Sequence, residues 1–169
     1  MKIAIVYDSN SGNTKMLAEA IKEEVNPDQL IYFGKPDECI DADLYIVGSW
    51  TQKGNCTPKI SKFLQGLKNK KIVYFGTAGY GGSVDYYKNL VERVKVNIDD
   101  SNEFIDWYYC QGKMPISVRS RYEKMIKEHP EDKKLEVSLE NFDAALSHPD
   151  ADDLNSLKSW IKKILEDGF

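Results

Sequence analysis

Between the apolar run Ile3–Tyr7 and a helical stripe that starts at Leu17, the chain reads Asp8-Ser9-Asn10-Ser11-Gly12-Asn13-Thr14. Short hydroxyl and amide side chains, one glycine and an immediate helix start are the parts of an anion cradle. Backbone N–H groups at a helix N-terminus point outward, the helix dipole adds partial positive charge, and Ser and Thr hydroxyls supply further donors. The segment's only charge is the negative Asp8, and Lys15 lies just inside the helix, so such a cradle would rest on neutral donors. An ordinary strand-to-helix turn with an N-cap has the same composition, and the loop alone leaves both readings open. No Gly-x4-Gly-Lys occurs, and Val84 stands where Gly79 and Gly81 would need a third glycine for a dinucleotide fingerprint.

Two further polar loops each carry one aromatic residue. They are Gly48-Ser49-Trp50-Thr51-Gln52-Lys53-Gly54-Asn55 and Gly76-Thr77-Ala78-Gly79-Tyr80-Gly81-Gly82-Ser83. A flat aromatic cofactor is held by rings on its two faces, through stacking and apolar cover. Either ring taken singly reads as core or rim packing. Their pairing beside an anion cradle favours a ligand.

The elements that must position these loops follow from the apolar pattern. Ile3–Tyr7, Leu30–Phe33, Leu44–Val47 and Ile72–Phe75 are continuous runs, with Phe104–Cys110 a fifth, aromatic-rich one. Continuity rather than alternation suits strands covered on both faces, as in a parallel sheet. Helical spacing fills the gaps: Leu17/Ile21/Val25, Ile60/Phe63/Leu64/Leu67, Val84/Tyr87/Val91/Val94 and Leu154/Leu157/Ile161/Ile164. Thr57 before Pro58, and Ser83, are expected N-caps. The gap between the second and third strands has room for a turn or two of helix. Strands alternating with helices imply βαβ crossovers with helices on both faces. Ligands in such a sheet gather beyond the carboxyl ends of the strands, where all three loops fall.

Residues 113–150 break the rhythm with two weaker stripes, Val118/Tyr122/Met125/Ile126 and Leu135/Leu139/Phe142/Leu146. They read as a pair of surface helices around the charged turn His129–Lys134, with no second core. The whole of residues 1–169 reads as a single domain.

Composition excludes several classes. The net charge of −4 argues against a nucleic-acid binder that works by phosphate neutralisation. No apolar run approaches the roughly 20 residues of a membrane span, and no secretion signal appears, so a cytoplasmic protein without a membrane partner is expected. Cys39, Cys56 and Cys110 are odd in number and lack metal-type spacing, which implies neither a disulfide framework nor a metal site. Cys110, ending the fifth run, reads as a buried apolar thiol. Phosphoryl transfer through Asp8 is disfavoured because Asp8-Ser9-Asn10 lacks a second carboxylate for magnesium. A tyrosine-phosphatase site is excluded because no Cys is followed six residues later by Arg.

The Ser9–Thr14 loop resembles the flavodoxin phosphate loop, Thr/Ser-x-Thr/Ser-Gly-Asn-Thr, and the five strands, their loops and the closing helix match the flavodoxin pattern over nearly the whole chain. The Gly-Ser-Trp-Thr-x-Lys-Gly stretch at 48–54, Phe75-Gly-Thr-Ala-Gly79 and Tyr109-Cys-Gln-Gly-Lys-Met-Pro115 resemble a clostridial-type branch, similar to proteins accompanying bacterial bilirubin reductases. Flavodoxins are themselves a standard example of this sheet order, with FMN at the switch point. The resemblance implies a three-layer, doubly wound five-stranded parallel sheet of order 2-1-3-4-5, here with a helical insertion before the last helix. It implies FMN as cofactor and electron transfer to redox partner proteins, a reductase and an acceptor enzyme. Ser9, Asn10, Ser11, Gly12, Asn13 and Thr14 would hold the phosphate. Trp50 and Tyr80 would cover the two faces of the ring, and backbone of Ser49, Thr51, Lys53 and Gly54 and of Thr77, Ala78, Gly79 and Gly81 would meet its polar edge. Two departures stand out: the longer 113–150 segment, and Lys53, a cation beside the ring. An FMN-dependent NAD(P)H:quinone or small-substrate reductase is the alternative of the same fold. Asp99, Asp100, Glu103 and Asp106 offer either a partner-docking face or a solvated surface.

Overall fold

The computed structural model describes residues 1–168. Five strands, β1 (Ile3–Asp8), β2 (Leu30–Gly34), β3 (Leu44–Trp50), β4 (Lys71–Ala78) and β5 (Glu103–Gln111), form one parallel sheet of order β2-β1-β3-β4-β5. The order matches the expectation. The connections are α1 (Asn13–Glu24), a three-residue 3-10 turn (Pro36–Glu38), α2 (Pro58–Gly66) and α3 (Val84–Lys95). The brevity of the second connection fits the short gap in the sequence.

Successive strand residues point to opposite faces, so each continuous apolar run feeds two cores. Ala4, Val6, Tyr45, Val47, Ile72 and Tyr74 pack with Ile60 and Leu64 of α2 and with Leu90, Val91 and Val94 of α3. On the other face Ile3, Ile5, Leu44, Ile46, Val73 and Phe75 pack with Leu17, Ala18 and Ile21 of α1 and with Leu157, Ile161 and Ile164 of the last helix. Thr57 caps α2 by accepting from the Ile60 N–H, and Ser83 caps α3 by accepting from the Tyr86 N–H, as expected.

Between β5 and the closing helix lie α4 (Ile116–Glu128) and α5 (Lys133–Ala145); the closing helix, α6 (Ala151–Asp167), starts with a capping box of Asp150 and Asp153. No residue of α4 is buried, but α5 buries Leu135, Phe142 and Ala145 outside both sheet cores. The two helices fall where the two weaker stripes place them, and α5 adds these three buried side chains alongside the sheet's two cores. Leu146, read as part of the α5 stripe, is 51% exposed. Arg119 of α4 lies over the Phe142 ring and pairs with Asp143, which joins the two helices. Among the described residues, no helix is long and apolar enough to cross a membrane.

Candidate functional site

The strands run further at their carboxyl ends than the apolar runs indicate. Gly48, Ser49 and Trp50 belong to β3, and Gly76, Thr77 and Ala78 to β4, not to loops. Strand pairing is set by the backbone, and two glycines let neighbouring rings lie across it. Gly48 pairs with Phe75 and Gly76 with Tyr109; a Cβ on them would stand 2.1 and 2.2 Å from those rings. Glycine and serine read as turn residues in isolation, yet here they are ladder positions.

Beyond those ends, three loops meet at Thr77. Its hydroxyl bonds that of Thr14 at 3.1 Å, deep in the first turn of α1. Its carbonyl accepts from both the amide (2.9 Å) and the hydroxyl (2.8 Å) of Thr51. Thr51 leads into a tight turn, Gln52–Asn55, in which Lys53 (φ 51°) and Gly54 (φ 75°) are both left-handed. Arg93 of α3 steadies it by donating to the Gly54 carbonyl at 3.2 Å.

The first loop enters α1 through Gly12, whose φ of 92° suits glycine and whose missing Cβ faces open space. The helix start has neither a side-chain cap nor an acid in its first turn, while Ser9 Oγ accepts from the Lys15 N–H at 3.2 Å. Unclaimed donors at a helix start favour an anion. Asn13 is buried; its Nδ2 donates to the Lys113 carbonyl at 2.9 Å, and its Oδ1 has no partner. A buried acceptor without a donor costs roughly 1–3 kcal/mol, and a ligand hydroxyl would answer it.

A fourth loop, after β5, completes the site. The Gly112 amide donates to the Ala78 carbonyl, and Gln111 and Asn141 each donate to the Gly79 carbonyl at 3.0 Å. Tyr80 is 41% exposed, and its hydroxyl lies 2.9 Å from that of Ser138 on α5. The α4–α5 pair thus holds the loop that carries Tyr80. Burial and the neighbouring Tyr80 hydroxyl together push the Tyr122 phenol up.

These loops enclose a cleft of about 400 Å³. Of the residues singled out in the sequence, Asn10, Ser11, Trp50, Thr51, Lys53, Gly54, Thr77, Ala78, Gly79 and Tyr80 line it. Ser9, Gly12, Asn13 and Thr14 stand behind it, in the loop and helix turn that support Asn10 and Ser11. Gly81 lies off the cleft against Gln111. Ser49 is fully buried; its hydroxyl donates to the Trp50 carbonyl and accepts from the Thr57 N–H, so it serves the fold instead of a ligand. Sequence reasoning missed Tyr86, Gly112, Lys113, Met114, Pro115, Val118, Arg121 and Tyr122, which also line the cleft. Position after the fifth strand was the available signal for Gly112–Pro115; Arg121 and Tyr122, one helix turn further on, had none.

Cys110 is buried, and burial pushes its thiol well above the ordinary range, in line with an inert core thiol. The acidic residues at 99–106 sit at the far side of the molecule. Asp99 and Asp100 precede β5, so they lie at the amino edge of the sheet, and Asp99 pairs with Lys68. Asp106 accepts from the Trp160 indole at 3.0 Å and is part of the packing of α6 on the sheet.

Comparison with known proteins accords with this architecture. A family model described as a flavodoxin domain matches residues 4–162. The flavodoxin-like domain-containing protein BilS of Clostridium symbiosum is 31% identical, over 95% of this chain and 94% of its own. Oxidised flavodoxin 2 from Bacillus cereus shares the fold with a TM-score of 0.57 at 18% identity, over 99% of this chain and all of its own. A flavoprotein from Lactobacillus acidophilus, solved in complex with FMN, aligns with a TM-score of 0.52 at 20% identity, over 64% of this chain and 93% of its own. The match along nearly the whole length, on a β2-β1-β3-β4-β5 parallel sheet, makes this chain a member of the flavodoxin family.

Proposed function

We propose that the cleft at the carboxyl edge holds FMN and that the protein passes electrons from the flavin to a partner oxidoreductase. The observation that carries this reading is the convergence at Thr77. It brings an uncapped helix start, two aromatics and the unpartnered Asn13 Oδ1 to one side of the sheet. The FMN of the Lactobacillus flavoprotein, a protein of the same fold, supports the choice of cofactor.

The phosphate sits against the 9–14 loop, where main-chain N–H groups and the Ser11 hydroxyl donate. Thr14 acts from behind, since its hydroxyl is engaged with Thr77. Trp50 and Tyr80 cover the ring, and the main chain of the 51–54 and 77–81 segments meets its polar edge. Bound FMN supplies one- and two-electron redox chemistry, while the protein sets access and potential.

The reductase alternative has one observation in its favour. The named loops contribute Lys53 alone, but the cleft also has Lys113 and Arg121, cations that nucleotide phosphates require. Against it, Trp50 and Tyr80 compete for the faces on which a nicotinamide must stack. Stopped-flow mixing of the FMN-loaded protein with excess NADPH, without any partner protein, separates the two. The carrier reading predicts a flavin that stays oxidised with NADPH and is bleached by dithionite. Bleaching by NADPH at roughly 1 s⁻¹ or faster, ordinary turnover, would assign the protein to the reductases.

A further inference from the structure

The cleft is lined by three cations, Lys53, Lys113 and Arg121, and by no acid, in a chain whose net charge is −4. All three are exposed, and among the described residues none of them forms an ion pair. The N-terminus of α4, with no acid in its first turn and no side-chain cap, opens on the same cleft at Pro115. Its partial positive charge adds to theirs. Beside them stand exposed apolar groups: Ile116 (70%) and Val84 (73%) open helices that start at this edge, and Tyr80 is 41% exposed. Tyrosine, arginine and aliphatic residues within a charged rim are the anatomy of a protein-docking patch.

We infer that this rim, built largely by the α4–α5 insertion, docks a redox partner through an acidic patch on that partner. The inference rests on the flavin reading above. Charge sign commits the occupant. Local charge at the electron exit is opposite to that of the molecule as a whole, so an acidic partner is drawn to the cleft and repelled elsewhere. Steering of this kind raises association rates by roughly 10- to 1,000-fold at low salt and fades as salt rises. In each encounter one electron passes to the acceptor. Two one-electron acceptors reoxidise one fully reduced flavin, whose protons return to solvent.

The test uses two protein acceptors of opposite charge. FMN-loaded protein, fully reduced with dithionite, is mixed in stopped flow with oxidised plastocyanin, an acidic copper protein, or with oxidised cytochrome c, a basic haem protein. Salt is varied, and the flavin absorbance of each sample is recorded first. The inference predicts that plastocyanin is reduced at least about tenfold faster at low salt than at high salt, with cytochrome c showing the reverse trend. Arg121→Glu should weaken both trends while the flavin spectrum stays. Preference for cytochrome c at low salt, as the net charge alone dictates, would overturn the inference, as would rates indifferent to salt. Ferricyanide steered as an anion while plastocyanin is not would also overturn it, leaving a rim for small anions. Low-salt dimers in sedimentation would overturn it by giving the patch to a second copy. A sample without bound flavin would overturn the proposed function and this inference together.

Discussion

The two edges of the sheet handle polar groups in opposite ways. At the amino edge charges are answered within the chain: Lys70 pairs with Asp41 at 2.7 Å, Lys68 with Asp99, and Asp43 accepts from the Lys2 amide at 2.7 Å. Asn102 ties the same edge together, donating to the Leu67 carbonyl and accepting from the Lys70 amide. At the carboxyl edge an uncapped helix start, a buried amide oxygen and three exposed cations are left unanswered. A cavity of about 540 Å³ beside Cys39 and Phe63, near the amino edge, exceeds the carboxyl-edge cleft in volume. Volume is therefore a poor guide to the site. Unmet hydrogen-bonding and charge capacity is a better one, because a fold bears such costs only where a ligand or partner repays them.

The largest expected effect breaks the scaffold under the carboxyl edge. Gly76→Ala would drive a Cβ into the Tyr109 ring, which is buried and stacked on Tyr87 with centroids 5.5 Å apart. Overpacking at a fixed ring costs about 3 kcal/mol, seen as a lower midpoint in thermal unfolding of the apoprotein. An unchanged midpoint would mean that Tyr109 can move aside.

Next come two hydroxyls that the structure separates. Thr14→Val leaves the buried Thr77 hydroxyl without its partner, so it should lower stability by about 1–3 kcal/mol and weaken FMN binding as well. Ser11→Ala should spare the melting point and weaken FMN roughly tenfold or more through one lost bond to a charged group. Equal effects of the two on the apoprotein would contradict the division of labour between them.

How much of this was legible in the sequence follows from the same contrast. The strands and their packing on both faces were readable because Ile3–Tyr7 and its counterparts are apolar without interruption, whereas their order came from the resemblance to flavodoxins. The 9–14 loop was readable because donors and a helix start are adjacent in the chain. Arg121 and Tyr122 were not, because α4 reaches the cleft only through tertiary packing that no local pattern encodes. Ser49 was misread for the opposite reason: a hydroxyl beside a glycine looks like a loop, and only the β3 pairing shows it to be core. Asn141 was also invisible, being one polar residue in an α5 stripe. Asn141→Ala removes one of two donors to the Gly79 carbonyl, with Gln111 remaining. It should weaken FMN by about fivefold, near 1 kcal/mol, measurable by titration; no change would mean that Gln111 alone fixes the loop.

The smallest effect is a separation in pH. Hydrogen bonds from Lys70 to Asp41, and from Lys68 and Ser101 to Asp99, hold both carboxyls below the ordinary 3.8. A lowered folded value means that their stabilisation is present above pH 3.8 and is lost as pH falls below it. A phosphate monoester takes up its second proton near pH 6. FMN affinity should thus decline from about pH 6 downward while the melting temperature shows no contribution from these carboxyls until pH drops below 3.8. Coincident declines would mean that the two edges titrate as one.

The central claim is that the α1 helix start takes a terminal phosphate and the adjoining cleft takes a flavin ring. Titrating the apoprotein with FMN, riboflavin and FAD, and following flavin fluorescence, tests it most directly. One equivalent of FMN should bind, with riboflavin weaker by roughly a hundredfold or more for the loss of two charge-assisted bonds, and FAD weaker than FMN because the cradle suits a terminal monoester. Riboflavin or FAD binding as tightly as FMN, or no flavin binding at all, would contradict the account.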